Sequence, residues 1–255
     1  MELGIAGKNV LITGASKGLG RALALGFAAE GCRIGAVGRN ESRLKGLVED
    51  IGGPEMGHRY CVADLMQAGA PTLSSDELEC AMGPFEIVVH NVGGPLDVYD
   101  ALAPVEAWRN VWDFNVGIAT EINARCIPKM IAKHWGRVIH IGSASGKHIR
   151  GRPAYAVAKA CLMAYTEALG RSTARDGVVV SAVLPGAFWY PGSYWDSELR
   201  ANPKKAEEFF RFHQAIGRFA ELDEIVAFVL LLASKHASFA AGAVVPVDGG
   251  AGGLL

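Results

Sequence analysis

The 255-residue sequence predicts an α/β protein with a doubly wound parallel sheet of about seven strands and helices on both faces. Short apolar runs alternate with longer segments of helical periodicity from one end of the chain to the other. These runs are apolar throughout, which is typical of strands that helices cover on both faces. Since no internal repeat or low-complexity linker interrupts this order, residues 1–255 are expected to form a single domain.

The individual elements follow one another along the chain. The predicted strands are the apolar runs at residues 9–12, 32–38, 58–63, 85–90, 137–141, 178–184 and 243–247. Helices are predicted at residues 19–31, 41–51, 105–134, around Tyr155, and at 223–234. In an open sheet of this kind, ligands bind outside the carboxyl ends of the strands. Functional residues are therefore expected directly after the strands.

Residues 187–217 break this alternation. The segment is dense in aromatic residues and contains two prolines, a composition that predicts a lid or a substrate-facing insertion. A helical excursion that packs on a partner subunit explains the same composition nearly as well. The candidate substrate residues within the segment are Phe188, Trp189, Tyr190 and Trp195.

Composition excludes several classes of function. A net charge of −1 gives no electrostatic basis for binding nucleic acid or a membrane surface. The five cysteines are scattered without a CxxC pair, and the seven histidines show no HExxH spacing, so no metal site is expected. No signal peptide or apolar run of about 20 residues is present. These observations predict a soluble, cytoplasmic protein with reduced thiols.

A glycine-rich turn lies between the first strand and the first helix. The sequence Thr-Gly-Ala-Ser-Lys-Gly-Leu-Gly at residues 13–20 provides a tight turn at Gly14, close backbone approach at Gly18 and close helix–strand packing at Gly20. The N-terminus of the following helix presents N–H groups and a positive dipole to a pyrophosphate. The pattern predicts a Rossmann-like dinucleotide site that also includes Ser16, Lys17 and Leu19.

The end of the second strand predicts which nicotinamide cofactor binds. A carboxylate at this position accepts a hydrogen bond from the ribose 2′-OH, whereas a cation accommodates a 2′-phosphate. The residues are Arg39 and Asn40, without a carboxylate, and Lys17 adds a second cation from the glycine turn. NADP is therefore favoured over NAD, although Arg39 could instead be an ordinary solvated residue at a strand end.

A tyrosine and a lysine four residues apart indicate acid–base chemistry. Tyr155 and Lys159 lie in an alanine-rich run, so both side chains leave the same face of the predicted helix. An ammonium beside a phenol favours the phenolate and lowers its pKa towards neutrality. Ser143 follows the fifth strand and can hold a carbonyl oxygen; Ser145 is the alternative hydroxyl. Taken alone, a Tyr–Lys pair at this spacing is more often a surface feature.

Eight motifs in this order resemble the classical short-chain dehydrogenase/reductase family over residues 7–250. They are the TGxxxGxG turn at 13–20, Asp64-Leu65, Asn91-Val-Gly-Gly, Asn115, Ser143, the Tyr155 and Lys159 pair, Pro185-Gly186, and Val-Asp-Gly-Gly at 247–250. The runs GRVIHIGS and VDGG look similar to the 3-oxoacyl-[acyl-carrier-protein] reductases of this family. The resemblance implies homotetramers or homodimers.

The resemblance also implies a role for each matching residue. Tyr155 is the implied general acid, Ser143 orients the carbonyl, and Lys159 binds the nicotinamide ribose and lowers the pKa of the tyrosine. Asn115 supports a water-linked proton relay to Lys159. The remaining implied cofactor contacts are Asp64 and Leu65 at the adenine, Asn91, Val92 and Gly93 at the adenine ribose, and Pro185 and Gly186 at the carboxamide.

Three departures from the family pattern affect these implied roles. Valine replaces the usual alanine after Asn91, and the interval from Ser143 to Tyr155 is one residue short. The threonine that usually follows Pro-Gly and bonds the carboxamide is absent, since the chain continues Ala187-Phe-Trp-Tyr190. Either Tyr190 or the backbone alone is left to hold the carboxamide.

The predicted reaction is NADPH-dependent reduction of a carbonyl to an alcohol, or its reverse. A 3-oxoacyl thioester is the first candidate substrate, and the aromatic segment favours a ring-bearing ketone, a quinone or a keto sugar about equally. The alternative outside enzymology is an NADP(H)-binding sensor or scaffold.

Overall fold

A computed structural model describes residues 1–149, 151–202 and 204–251. Arg150, in the stretch between Ser143 and Lys159, and Pro203, in the aromatic segment, lie outside the described residues, as do residues 252–255. The described chain forms one parallel sheet with strand order β3-β2-β1-β4-β5-β6-β7, which confirms the predicted fold class. Its strands are β1 Asn9–Thr13, β2 Arg33–Gly38, β3 Arg59–Val62, β4 Ile87–His90, β5 Gly136–Ile141, β6 Val178–Pro185 and β7 Val244–Val247.

The sheet separates two hydrophobic cores. Every residue of β1, β4, β5 and β6 is buried. Because successive side chains of a strand point to opposite faces, Leu11 and Ile12 belong to different cores. Ile12 packs with Phe27 on one face, and Leu11 packs with Ile122 on the other. The continuous apolar runs of the sequence are therefore explained by burial on both faces.

Ten α-helices occur within the described residues. They are α1 Gly18–Ala29, α2 Glu41–Asp50, α3 Ala70–Met82, α4 Val105–Trp112, α5 Ile118–Ala132, α6 Ala144–His148, α7 Pro153–Thr173, α8 Tyr194–Ala201, α9 Lys205–His213 and α10 Leu222–Ala233. The sequence patterns did not predict α3, α6, α8 or α9. Within this part of the chain, no helix has the length and the hydropathy needed to cross a bilayer.

The helical stretch predicted over residues 105–134 is present over residues 105–132, but it is not one regular α-helix. A π-helical turn, Asp113–Gly117, separates α4 from α5. The turn widens the helix locally, and the Asn115 amide then fills it by donating to the backbone oxygens of Val111 and Gly94. Such single-turn π-bulges frequently occur at functional sites.

The aromatic segment folds into two short helices beyond the carboxyl end of β6. In its interior Trp195 packs against Phe209 and Phe219, at ring-centre distances of 4.6 and 5.1 Å. Phe188 at the start of the segment pairs with Ala220, three residues beyond its end, through an isolated parallel bridge. The segment is thus closed at its base and has a small aromatic core of its own.

Candidate active site

A cavity of about 1390 Å³ opens at the carboxyl end of the sheet, where β1, β4, β5 and β6 end. One wall is built by the residues that follow these strands, and the other by the aromatic segment with its helices α8 and α9. Many predicted site residues line it together, namely Leu19, Asn91, Gly93, Ser143, Ser145, Tyr155, Lys159, Pro185, Gly186, Phe188, Tyr190 and Trp195.

Ser143 meets Tyr155 at the floor of this cavity. Ser143 follows β5 and is the N-cap of α6, where its Oγ accepts a hydrogen bond from the Ser145 backbone N–H at 3.1 Å. The Ser143 hydroxyl also lies close enough to the Tyr155 hydroxyl to lower the pKa of that phenol. Ser145, the alternative hydroxyl, lines the cavity but supports Ser143 through its backbone.

Tyr155 and Lys159 lie one turn apart on α7. Pro153 at the first turn suits the helix start, and the alanines around the pair favour the helix. Lys159 is buried, and its Nζ donates to the Ile141 backbone oxygen at 2.8 Å. The same Nζ lies 5.8 Å from the centre of the Tyr155 ring. The predicted common face of the helix is therefore the face that packs on the end of β5.

The pKa values in the site differ from the implied lowering of the tyrosine pKa by Lys159. Burial raises the pKa of Tyr155 above its usual value of 10.0, and the hydrogen bond from Ser143 offsets part of that rise. Burial also lowers the pKa of Lys159 from 10.5 to about 7. Burial and Ser143 are thus the influences seen on the pKa of Tyr155, while the Lys159 Nζ is bonded to a backbone oxygen; the lowering of the tyrosine pKa by Lys159 stays a prediction.

Asn115, Lys159 and Gly93 converge behind the tyrosine. The Asn115 Oδ1 accepts from the Gly94 backbone N–H at 3.0 Å, while its amide donates to the Gly94 and Val111 oxygens. A side chain at position 93 would lie 2.6 Å from this Oδ1 and 2.9 Å from the Lys159 Nζ. The position between the two groups therefore favours glycine. The water-linked relay through Asn115 stays a prediction.

The glycine turn is fixed by Asn91. The Asn91 amide donates to the backbone oxygens of Thr13 and Gly14, at 3.1 and 3.2 Å. A Cβ on Gly20 would overlap the Gly14 oxygen, so glycine is required for the helix to begin this close to β1. Asn91 therefore shapes the turn, and its contact with an adenine ribose, like those of Val92 and Gly93, stays a prediction.

The phenol of Tyr190 lies on this turn. A Cβ built on Gly18 would be 2.5 Å from the Tyr190 Cζ and 2.7 Å from its Cε1. Burial raises the pKa of the Tyr190 hydroxyl above its usual value. The residue that replaces the usual threonine thus contacts the first residue of α1.

Lys17 and Arg39, the two predicted phosphate-binding cations, lie on backbone segments that contact each other. The Ala15 N–H donates to the Val37 oxygen at 3.0 Å, and a Cβ on Gly38 would lie 3.3 Å from that of Ser16. These contacts bring the loop carrying Lys17 against the strand end carrying Arg39. Both side chains are exposed, and neither forms an ion pair with any residue that the structure describes.

Three further cofactor candidates have structural duties in the fold. The Asn40 Oδ1 caps α2 by accepting from the Arg43 N–H at 2.9 Å. Asp64 is exposed, and its Oδ1 accepts from the Met66 N–H at 3.1 Å. The Leu65 side chain is buried in the core beneath, so only its backbone is available to a ligand. Their adenine contacts stay predictions.

Gln214 was not identified from the sequence. It is 1% exposed, and its Oε1 accepts from the Ala187 N–H at 2.7 Å, directly after Pro185-Gly186. Its amide donates to the Arg218 backbone oxygen. The contact with Ala187 spans 27 residues and depends on the way the aromatic segment closes. No local pattern around Gln214 indicates this role.

The aromatic candidates divide between the cavity and the exterior. Phe188, Tyr190 and Trp195 line the cavity, whereas Trp189 is 40% exposed and bonds the Asp196 side chain. The structure therefore does not bring Trp189 to the other candidates. Further lining residues that sequence reasoning missed are Arg152, Tyr194, Phe209, Phe212 and His213.

Comparisons with known proteins agree with this geometry. A family model described as short chain dehydrogenase matches residues 8–191. The 3-oxoacyl-[acyl-carrier-protein] reductase MabA of Mycobacterium avium is 33% identical, over 96% of this chain and 90% of that protein. A galactitol 2-dehydrogenase of Cereibacter sphaeroides is 32% identical, over 96% and 94%.

A solved structure shows the same fold with ligands bound. The L-sorbose reductase of Gluconobacter frateurii, complexed with NADPH and L-sorbose, superimposes with a TM-score of 0.90. It is 28% identical, and the match covers 98% of each chain.

Proposed function

Because the chain belongs to the short-chain dehydrogenase/reductase family, we propose that it reduces a carbonyl with NADPH, with Tyr155 as proton donor. Membership makes the chain an oxidoreductase, and the relatives solved with NADP or NADPH identify NADP(H) as its cofactor. The observation that carries the catalytic assignment is that Ser143, Tyr155 and Lys159 line one large cavity together, with Ser143 close enough to lower the pKa of the Tyr155 phenol.

The residues at the end of the sheet fit a dinucleotide. A Cβ at position 20 would overlap the Gly14 oxygen, and one at position 93 would press on the Asn115 Oδ1 and the Lys159 Nζ, so both positions favour glycine. The start of α1 offers N–H groups to a pyrophosphate, and the Lys17 and Arg39 cations suit a 2′-phosphate. The Gly186 backbone lies next to the Gln214 side chain, since a Cβ on Gly186 would be 2.8 Å from the Gln214 Oε1. When bound, NADPH supplies a hydride to the carbonyl carbon.

The protein residues handle the proton and the developing charge. Ser143 holds the carbonyl oxygen by hydrogen bonding, next to the Tyr155 Oη. Tyr155 then transfers its proton to that oxygen, and the Ser143 hydroxyl stabilises the phenolate that remains. The Lys159 Nζ lies 5.8 Å from the ring, and its ammonium form adds positive charge as the phenolate develops.

Three classes of substrate suit the cavity. A 3-oxoacyl thioester is the first candidate, since relatives with that printed activity match nearly the whole chain and the walls formed by Phe188 and Phe209 suit an acyl chain. Relatives named for L-sorbose and galactitol favour a keto sugar as the second candidate. Polar residues at the rim, including Asp97 and Arg152, are compatible with hydroxyl groups. The aromatic walls also accept a ring-bearing ketone or a quinone.

We also infer a cytoplasmic homotetramer or homodimer built from one domain, residues 187–217 forming its substrate lid. The unpaired thiols, with Cys80 exposed, suit a reducing compartment. Exposed apolar side chains such as Trp112 and Val157, on the outer face of α4 and α7, suit burial against another copy. Light scattering that gave a monomer mass would contradict this inference.

Turnover by a Tyr155→Phe variant tests the proposal. NADPH oxidation is measured against β-keto thioesters, keto sugars, quinones and ring-bearing ketones. We expect turnover with one of these classes and a loss of about 100-fold or more in the variant, because the proton donor is gone. NADPH affinity should stay within about threefold.

A Tyr60→Phe variant, which removes a hydroxyl from β3, is the matched control and should keep full turnover. Substantial activity in Tyr155→Phe would refute the assignment of the proton donor. NADPH binding without turnover on any class would instead favour a sensor or scaffold.

A further inference from the structure

The Tyr190 phenol covers the part of the glycine turn where α1 begins. The Cζ and both Cε atoms lie within 2.8 Å of the position that a Cβ on Gly18 would take. The hydroxyl-bearing end of the ring therefore rests against the Gly18 backbone. The ring is half-buried, so the contact removes this part of the turn from solvent.

This position is where a phosphate group needs access. In the described part of the chain, no side chain caps the first turn of α1, and that turn holds no acidic residue. Its free N–H groups and the positive end of the helix dipole are thus the strongest anion-binding feature of the turn. An aromatic ring in van der Waals contact with Gly18 occupies the same space as a pyrophosphate would.

Tyr190 is tied to the beginning of the aromatic segment. Its ring stacks on Phe188 at 6.2 Å, and its backbone N–H is within 3.5 Å of the Ser193 Oγ. The same Oγ caps α8 by accepting from the Asp196 N–H. Between them Gly192 adopts a φ of +78°, a conformation that glycine adopts without strain. A movement of Tyr190 away from the turn would therefore affect the Ser193 hydrogen bonds at the start of α8.

We propose that Tyr190 is a gate residue for the cofactor, whose phenol closes the phosphate-binding turn and leaves it when NADP(H) binds. The proposal rests on the proposed function, since it presupposes that the turn binds the cofactor. Each binding event must displace the ring from Gly18, so the closed state lowers the apparent affinity. The displaced ring moves towards the cavity, which links cofactor binding to the substrate wall.

Removal of the ring should therefore tighten cofactor binding. Tyr190→Ala is expected to bind NADPH about tenfold more tightly than the unchanged protein, because no closed state competes. Tyr190→Phe keeps the ring that covers Gly18, so its affinity should stay within about twofold. The two variants separate closure by the ring from hydrogen bonding by the hydroxyl.

Fluorescence titration with NADPH measures these affinities without any substrate. Phe239→Ala is the control, because it removes a fully exposed aromatic ring that is not among the residues lining the cavity. Titration with 2′-AMP, which lacks the pyrophosphate and the nicotinamide half, is the second control. Its affinity should be equal in all variants, whereas NADPH binding should tighten in Tyr190→Ala alone.

Other outcomes overturn the gate. Weaker NADPH binding in both Tyr190 variants would make the hydroxyl a ligand, and unchanged binding in Tyr190→Ala would make the contact irrelevant. Both results leave the proposed function intact, because NADPH still binds. Failure of every variant to bind NADPH would overturn the gate and the proposed function together.

Discussion

Lys159 combines a catalytic position with a cost in stability. Its ammonium is buried, its Nζ has the Ile141 oxygen as hydrogen-bond acceptor, and its pKa falls from 10.5 to about 7. A shift of this size corresponds to roughly 5 kcal/mol of unfavourable free energy for the charged form. A residue this costly is characteristic of functional sites, where stability is given up for chemistry.

Arg39 tests the cofactor choice at the level of one residue. The Arg39→Ala variant should lower the ratio of kcat/KM for NADPH to that for NADH by about tenfold or more, because one cation facing a 2′-phosphate is lost. NADH turnover itself should be nearly unchanged. Steady-state kinetics with both cofactors measures the ratio.

Arg175→Ala is the control for this prediction. Arg175 is exposed in the turn before β6, at the opposite edge of the sheet from the glycine turn. Its removal alters the net charge by the same amount and should leave the ratio unchanged. An equal fall in both variants would mean that overall charge, and not a local contact, sets the preference.

The sequence predicts the position of site residues that directly follow a strand. It does not predict the position of residues whose contacts lie far away in the sequence. The sequence favours Ser143 over Ser145 because it lies nearer the end of the strand, and in the structure Ser143 lowers the pKa of the Tyr155 phenol. Gln214 and the placement of Tyr190 on Gly18 depend on how the aromatic segment folds back. The direction of Trp189 depends on the same contacts.

At the scale of elements, a polar network joins β4, β5, α5 and α7 inside the molecule. His90 and His140 are register partners on adjacent strands. Asn123 of α5 bridges them, at 2.8 Å from the His90 Nε2 and 3.3 Å from the His140 Nε2. The His140 Nδ1 is 2.8 Å from the Thr166 Oγ1 on α7. Burial lowers the pKa of His90 from 6.5 to about 4 and that of His140 well below 6.5.

This network predicts acid lability. The unfolded chain binds protons at these histidines below about pH 6.5, whereas in the folded chain His90 does so only near pH 4 and His140 only well below pH 6.5. Stability is therefore fully present above pH 6.5 and is lost as the pH falls, with His90 alone accounting for about 3 kcal/mol by pH 4. Urea denaturation between pH 4 and pH 7 measures the slope.

Substitution of a histidine in the network separates its contribution to acid unfolding from that of other titratable groups. His90→Leu should flatten the slope, and His134→Asn, which removes an exposed histidine, should not. NMR titration of the imidazoles in the unchanged protein gives the pKa values directly. A His90 pKa near 6.5 would contradict the prediction.

The π-helical turn that contains Asn115 is an example of a feature that the sequence does not predict. Helical periodicity continues through residues 105–134, so the sequence indicates one helix. No sequence pattern marks the π turn. It is stabilised by hydrogen bonds between Asn115 and Gly94, which belongs to the loop after β4. The aromatic segment was predicted as a lid or a partner contact because its composition fits both. Its packing around Trp195 emerges only from the folded chain.

At the scale of the whole molecule, the sequence predicts the architecture because each strand is recognisable as a separate apolar run. A strand buried on both faces has to be a continuous apolar run, and parallel neighbours require a crossover helix between them. The sheet order reverses at β1 and β4, and the cavity opens beside that switch point. The motifs that follow β1, β4, β5 and β6 therefore meet at one edge, although they are spread over most of the chain.

The proposed reaction delivers a hydride and a proton to one carbonyl at the carboxyl end of the sheet. NADPH carrying deuterium at the transferred C4 position tests it, with the substrate class that gives turnover. We expect an alcohol with one deuterium on the carbinol carbon, formed by the unchanged protein and lost in Tyr155→Phe. Deuterium at a carbon of a reduced C=C bond, or a carbinol carbon without deuterium, would contradict it.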